Sequence, residues 1–270
     1  MLNRKAANIK FAVFDLIRQW LKLTIYRYRY VDLHPMGISF LTDAIHYGKD
    51  NPNIIYSMNN TELHEVNVGK DLGILFQKDL KFSQHISSKI NKSNSILGLI
   101  GRSFSYLDRY SFAKIYTALV RLHLEHGNTI WYPHLRKDIE SIEKVQMRAT
   151  RILSEIKHLN YEERLKTLNL PTLVHRRHRG DMIQTFKIIK GLEDIPVERF
   201  FTTGIVNSNT RGHMCKLAKP RCNTSFRLRH FSQRIINDWN ELSTNVICAK
   251  TVDEFKILLD RHWDREMYLF

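Results

Sequence analysis

Apolar residues recur along most of this chain at intervals of three and four, the period of an amphipathic helix. From about residue 83 the pattern is nearly continuous. Ile86, Ile90, Leu97, Ile100 and Phe104 mark a first stripe, and Phe112, Ile115, Tyr116, Leu119 and Val120 a second. Asp108 stands where a helix N-cap belongs, because its short carboxylate accepts N–H groups that the first turn leaves open. Ile139, Ile142, Val145, Ala149 and Ile152 make a third stripe, and Tyr161 to Leu168 a short helix. Pro171 suits the first turn of a helix running to about Lys190, and Gly191 stops it. Residues 211–226 read as an irregular polar connection, and Ser232 to Leu242 and Val252 to Trp263 as closing helices. Thr251-x-x-Glu254 predicts a capping box, with the threonine hydroxyl on the Glu254 N–H and the glutamate reaching back.

Residues 45–78 break this period and predict strands. Asn53 to Met58 and Thr61 to Val66 flank Asn59-Asn60, and asparagine tolerates the positive φ of a two-residue hairpin turn. Gly48 ends the preceding run Ile45-His-Tyr, and Leu72-Gly-Ile-Leu-Phe76 follows as a short apolar strand. Gly73 inside that strand predicts a bulge or a close backbone approach. Ahead of this region, Phe11, Phe14, Ile17, Leu21 and Ile25 suit a helix, and Ile25 to Val31 then alternates with period two. The predicted fold is mainly α, with a small antiparallel β region near residues 45–78. No repeat of 20–50 residues and no low-complexity segment interrupts it.

With 43% hydrophobic residues and only 11 glycines and 6 prolines in 270, the chain can bury a core and is not expected to be disordered. Its most apolar stretch, Phe11 to Ile25, is broken by Asp15, Arg18 and Lys22, so neither a membrane span nor a signal peptide is expected. Three cysteines make no disulfide framework and suit a reducing compartment, nucleus or cytoplasm.

The net charge of +15 is uneven. Residues 81–190 carry 20 basic against 9 acidic side chains, a net of +11, whereas the segments before and after carry +2 each. Such a local excess attracts polyanions, phosphate backbones first among them. An anionic membrane would favour one basic amphipathic helix with a large apolar face, and this region reads as several packed helices instead.

No P-loop, GxGxxG, HExxH, GxSxG or EF-hand pattern occurs, and no cofactor is expected. His213, Cys215, Cys222 and His230 could form a zinc site, but six residues separate the cysteines where zinc knuckles use two to four. A polar loop with ordinary cysteines is the simpler reading. The densest basic run is His175-Arg-Arg-His-Arg179. On a helix Arg176 and Arg179 share a face and could grip phosphates bidentately, while Arg177 points elsewhere. The competing reading is a solvated face paired with Asp181 and nearby glutamates. Lys81 and the outer side of the first long helix, with Lys89, Lys92 and Arg102 among serines and asparagines, form a second candidate surface for phosphates and sugars.

Several strings then resemble a known family. They include His46-Tyr-Gly-Lys49, Lys70-Asp-Leu-Gly-Ile74, Leu80-Lys-Phe-Ser-Gln-His-Ile86, Leu119-Val-Arg-Leu-His-Leu-Glu-His-Gly127 and Glu143-Lys-Val-Gln-Met-Arg-Ala-Thr150. Tyr161-Glu-Glu-Arg-Leu165, Arg179-Gly-Asp-Met182, Thr210-Arg-Gly-His213 and Phe231-Ser-Gln-Arg-Ile-Ile-Asn-Asp-Trp-Asn240 continue the series to about residue 263. In this order they resemble the C-terminal part of jockey-like non-LTR retrotransposon reverse transcriptases. The resemblance implies a palm remnant over 45–80, with Leu72, Gly73 and Ile74 as a primer-support strand. It implies thumb-like helices over 81–135 and a helical C-terminal extension over 136–270, behind an N-terminal helix of other origin (1–44).

That family polymerises DNA with aspartates that hold two Mg²⁺ ions, one pair in an aromatic-x-Asp-Asp signature. This sequence has no Asp-Asp pair, and Asp15, Asp32 and Asp43 are isolated. The expectation is therefore a truncated fragment, inactive alone, that at most binds RNA or an RNA–DNA duplex through the backbone. The alternatives are a protein-interaction or structural helical module, with the aromatic N-terminal helix as its contact, and a gene product that lacks its front half.

Overall fold

The structure, a computed structural model, describes residues 43–46, 55, 57–58, 61–203, 213–223, 225–263 and 270. The expected helix over 11–25, the alternating run after it and the Asn59-Asn60 turn lie outside the described residues. The chain divides into two compact units, Met1–Lys89 and Ile90–Phe270.

The described residues of the first unit form two-residue and four-residue strands that lead into a helix. β1 (Asp43–Ala44) pairs in parallel with β4 (His64–Glu65), and β2 (Ser57–Met58) pairs antiparallel with β3 (Thr61–Glu62). β5 (Val68–Asp71) and β6 (Ile74–Gln77) form the longest ladder among the described residues, antiparallel from Val68↔Gln77 to Asp71↔Ile74. The predicted Leu72–Phe76 strand is thus corrected. Leu72 and Gly73 are the hairpin turn, with φ of 46° and 82°, as a two-residue type I′ connection requires at both positions. The close approach falls at Gly69 instead, where a Cβ would lie 2.6 Å from the Ile45 side chain. Ile74 and Phe76 face inward, and Phe82 meets Phe76 edge-on at 5.7 Å between ring centroids. Helix α1 (Ser83–Ser103) starts against this hairpin: Gln84 N–H donates to the Gln77 side chain (2.9 Å) and Leu75 N–H to His85 Nδ1 (3.2 Å).

The second unit is helical. Asp108 caps α2 (Arg109–Ile115) as predicted, accepting from the Tyr110 and Ser111 N–H groups. The helix then widens into a π turn, Tyr116–Arg121, before the single α turn α3 (Leu122–Glu125). The wider turn keeps Tyr116, Val120 and Leu124 inward at steps of four and leaves Leu119 and Leu122 exposed. Leu119, which the 3.6 period places inside, is therefore outside. Gly127, at φ 67°, precedes α4 (Asn128–Trp131).

Helix α5 (Arg136–Thr150) buries Ile142, Val145 and Ala149. α6 (Tyr161–Leu168) matches its predicted bounds and opens with an Asn160/Glu163 capping box. α7 (Leu173–Ile189) is capped by Thr172, with Pro171 just ahead of the cap, and Gly191 ends it at φ 66°. After a short 3-10 turn (Val197–Arg199), β7 (Thr202–Thr203) pairs antiparallel with β8 (Leu217–Ala218), a ladder the sequence pattern did not predict. The closing helices are short: α8 (Ser225–Arg229), α9 (Phe231–Arg234), α10 (Ile236–Glu241) and α11 (Thr244–Ile247). Last comes α12 (Val252–His262), with Thr251 on the Glu254 N–H. The returning glutamate takes the Lys250 N–H (2.7 Å), one residue ahead of the cap.

The core of this unit gathers around α7. Phe186 stacks on Phe255 of α12 at 4.2 Å, and Trp239 lies 6.2 Å from the same ring. Trp239 N–H donates to the Cys215 carbonyl (2.9 Å), which ties α10 to the β8 arm. No helix among the described residues is long and apolar enough to cross a membrane.

Candidate functional site

The His175–Arg179 run sits at the middle of the second unit, and its guanidinium groups are committed to the protein. Arg176 makes a two-pronged pair with Glu125, its Nη2 2.9 Å from Oε2. Burial pulls Arg176 down, but the Glu125 bond and charge outweigh it and hold the guanidinium above its ordinary range. Arg179 makes a second two-pronged pair, with Asp260 of α12 (Nη2 to Oδ2, 2.8 Å). His178 approaches Asp238 at 3.2 Å and stacks on Trp263 at 4.7 Å. Arg177 is 1% exposed, and its Nε and Nη1 have no hydrogen-bond partner. Burial lowers its pKa, while the charges of Glu143, Glu125 and Asp181 oppose that shift. The run thus fastens α7 to α3, α10 and α12. Its residues do not form an open phosphate-binding fork, because carboxylates already occupy the geometry a phosphate would take.

Asp181, on the same helix, is the buried anchor of α9. Arg234 holds its carboxylate with Nε at 2.8 Å and Nη2 at 3.0 Å, and Nη2 also donates to the Thr129 carbonyl. The Arg234 guanidinium lies over the Tyr132 ring at 4.3 Å.

A second polar network joins α5, α6 and the start of α7. Glu143 is fully buried and accepts from the Leu173 N–H (3.0 Å) and from the Tyr161 hydroxyl. A carboxylate at a helix N-terminus meets unsatisfied N–H groups and the favourable end of the dipole. Burial pushes Glu143 above its ordinary range, and these bonds work against that shift. Gln146, one turn on, accepts from the Tyr116 hydroxyl (2.7 Å) and donates to the Pro171 carbonyl (3.0 Å). This network fixes helix positions and offers no solvent-facing acid or base.

The exposed cations lie elsewhere. On α5, Lys137, Lys144 and Arg148 are exposed, as is Arg151 just past its end. Steps of seven, four and three residues put all four on one helix face, with Ser141 between them. Arg148 donates to Asn94 of α1 (3.0 Å), which brings this stripe beside the outer side of α1. There Asn91, Lys92, Ser95 and Arg102 are exposed. The nearest acids are engaged: Glu140 with Arg136 (2.7 Å), and Glu155 with Arg109 (2.9 Å). Sequence reasoning found the α1 residues and missed the α5 stripe, although its spacing was legible.

Other predicted positions are less suited to a ligand. Lys81 is exposed but lies 3.3 Å from Asp79. Lys89 is half-buried, and burial together with Lys70 lowers its pKa. Of the primer-support trio, Leu72 and Gly73 form the turn and Ile74 is buried. The proposed zinc ligands are engaged separately. His213 is buried against the Trp239 carbonyl (3.0 Å), and Cys222 approaches Gln233 at 3.5 Å. His230 accepts the Ser232 N–H as the N-cap of α9. No group of three His, Cys, Asp or Glu side chains among the described residues could hold a metal ion. Compared with known proteins, the chain matches no family model, no curated protein and no solved structure.

Proposed function

We propose that this chain is a helical, polymerase-derived module that holds the sugar–phosphate backbone of RNA or an RNA–DNA duplex without reading its sequence and without transferring phosphoryl groups. The observation that carries the reading is the joined basic surface of α5 and α1: Lys137, Lys144, Arg148 and Arg151 beside Asn91, Lys92, Ser95 and Arg102. Exposed cations mixed with small hydroxyl and amide side chains are what backbone contact requires. The excess of +11 in residues 81–190 supports the same reading. So does the ordered series of strings that resembles the thumb end of retrotransposon reverse transcriptases. The catalytic half of that resemblance is not part of the proposal, because the sequence has no Asp-Asp pair.

The test is anisotropy of a labelled RNA hairpin and an RNA–DNA duplex across a salt series. Each phosphate contact contributes about 0.9 to the slope of log K against log salt. Four such contacts predict a loss of about a hundredfold between roughly 50 and 200 mM salt. Absence of binding at low salt, or a flat response, contradicts the reading. A second reading, a protein-docking module, is favoured by Leu119 and Leu122, which the π turn leaves exposed. It predicts a protein complex whose stability is lost on Leu119→Asp and is insensitive to salt.

A further inference from the structure

The stretch 102–114 of the second unit combines exposed aromatic rings with cations that have no acidic partner among the described residues. Phe104, Tyr106 and Tyr110 are exposed, the two tyrosines by 67% and 68%. Neither tyrosine dangles. The Tyr106 hydroxyl donates to Glu155 (3.1 Å), which also holds Arg109 (2.9 Å). Tyr110 sits in the first turn of α2, with Lys114 Nζ 4.1 Å from its ring centroid. Exposed aromatic rings held this firmly lose little side-chain entropy when something stacks on them.

The local charge is net positive, with Arg102, Arg109 and Lys114 against Asp108 and Glu155. Of these acids, Glu155 is paired with Arg109, while Asp108 caps α2 through the Tyr110 and Ser111 N–H groups. Lys114, over the Tyr110 ring, and Arg102, two residues before Phe104 in sequence, have no acidic partner among the described residues. A protein docking patch of this size would be expected to place aliphatic side chains between the rings. Here the exposed residues that bracket the rings in sequence are the cations Arg102 and Lys114, which suits a polyanion whose repeating unit carries both a flat π-face and a phosphate.

We propose that Phe104, Tyr106 and Tyr110, with Arg102 and Lys114, form a stacking platform for unpaired bases of single-stranded nucleic acid. The proposal rests on the nucleic-acid reading above and deepens it by naming a substrate class for the neighbouring end of the basic surface. Arg102 ends α1 two residues before Phe104, so the rings follow directly on the α1 part of the basic surface in the chain. Stacking is indifferent to base identity, so little sequence preference is expected.

The test compares a labelled single strand of about 15 nucleotides with a closed hairpin duplex, using the full chain, its Tyr106→Ala/Tyr110→Ala variant and its Tyr106→Phe/Tyr110→Phe variant. The alanine pair is expected to lose about tenfold or more in single-strand affinity, with the salt slope and the hairpin affinity unchanged. The phenylalanine pair removes the same Glu155 bond but keeps both rings, so it is expected to bind within about threefold of the parent. Equal losses on strand and hairpin, or unchanged strand affinity in the alanine pair, would overturn the platform and leave the backbone reading standing. If the parent chain binds neither probe at low salt, both readings fall. Loss of a protein complex in the alanine pair, with strand affinity intact, would also overturn the platform and make this a protein contact.

Discussion

Arg234 and Asp181, 53 residues apart in sequence, meet in a two-pronged ion pair in which the aspartate side chain is 1% exposed. Burial pushes Asp181 above its ordinary range, and Arg234 offsets only part of that cost. Such a pair contributes little beyond what packed apolar residues would, yet breaking it leaves an uncompensated buried charge. Arg234 also donates to the Thr129 and Arg229 carbonyls, which would be left unpaired with it. Arg234→Ala is therefore expected to destabilise the chain by about 3–5 kcal/mol in urea unfolding. Asp181→Asn keeps the volume but leaves the Arg234 guanidinium without its counter-charge, and is expected to cost a comparable amount, about 3–5 kcal/mol.

Arg177 behaves differently because two of its nitrogens have no partner to lose. Arg177→Met keeps the length and the packing and removes a desolvated cation, so it is expected to change stability by less than about 1 kcal/mol. Arg177→Glu would add a fourth carboxylate near Glu143, Glu125 and Asp181 and is expected to prevent folding at 37 °C, read by far-UV circular dichroism. Charge reversal across Arg176, Arg177 and Arg179 would then report on folding and not on phosphate contact.

His230 supplies a pH dependence whose sign follows from its position. Burial, with Arg234 and Arg227 adding to it, holds the ring down at about 4 against an ordinary 6.5. The unfolded chain takes up this proton as pH falls through about 6.5, and the folded chain only near 4. Stability is thus fully present above pH 6.5 and declines towards pH 4, by up to roughly 3 kcal/mol from this residue. Protonation also removes the Nδ1 lone pair that caps the Ser232 N–H. His230→Asn, a good cap that does not titrate, is expected to flatten the decline of melting temperature over that window. Burial lowers His175 and His213 in the same direction, so a residual slope is expected to remain.

The Tyr161 hydroxyl links Glu143 to Gln146 inside the second unit. Tyr161→Phe removes one donor from a buried carboxylate and one acceptor from a buried amide, for an expected loss of about 1–3 kcal/mol. Guanidinium unfolding would measure it, and a loss under about 0.5 kcal/mol would mean that water replaces the hydroxyl.

Local chemistry made much of this fold legible from the residues alone. Asp108, Thr251 with Glu254, Gly191 and the Tyr161–Leu168 stripe act within one or two turns, so their neighbours in sequence are their neighbours in space. The Leu72-Gly73 turn reads as strand because Leu is apolar, and the pattern alone does not reveal its positive φ. The π turn escaped for a related reason: it changes the period within one helix and so reverses the side on which Leu119 falls. The His175–Arg179 run reads as a surface in the sequence because its partners Glu125 and Asp260 lie 51 and 81 residues away. Charge counting finds such an excess and says nothing about which members of it are already paired.

The central claim is that the outward cations of α1 and α5, and not the arginines inside α7, carry nucleic-acid contact. Its most direct test is the salt slope of duplex binding for the parent and for Lys92→Glu/Lys144→Glu/Arg151→Glu, three exposed substitutions that disturb no ion pair among the described residues. The account predicts an unchanged melting temperature, affinity reduced at least tenfold at low salt, and a slope shallower by about 2–3. Parent-like affinity and slope in the folded triple variant would contradict it.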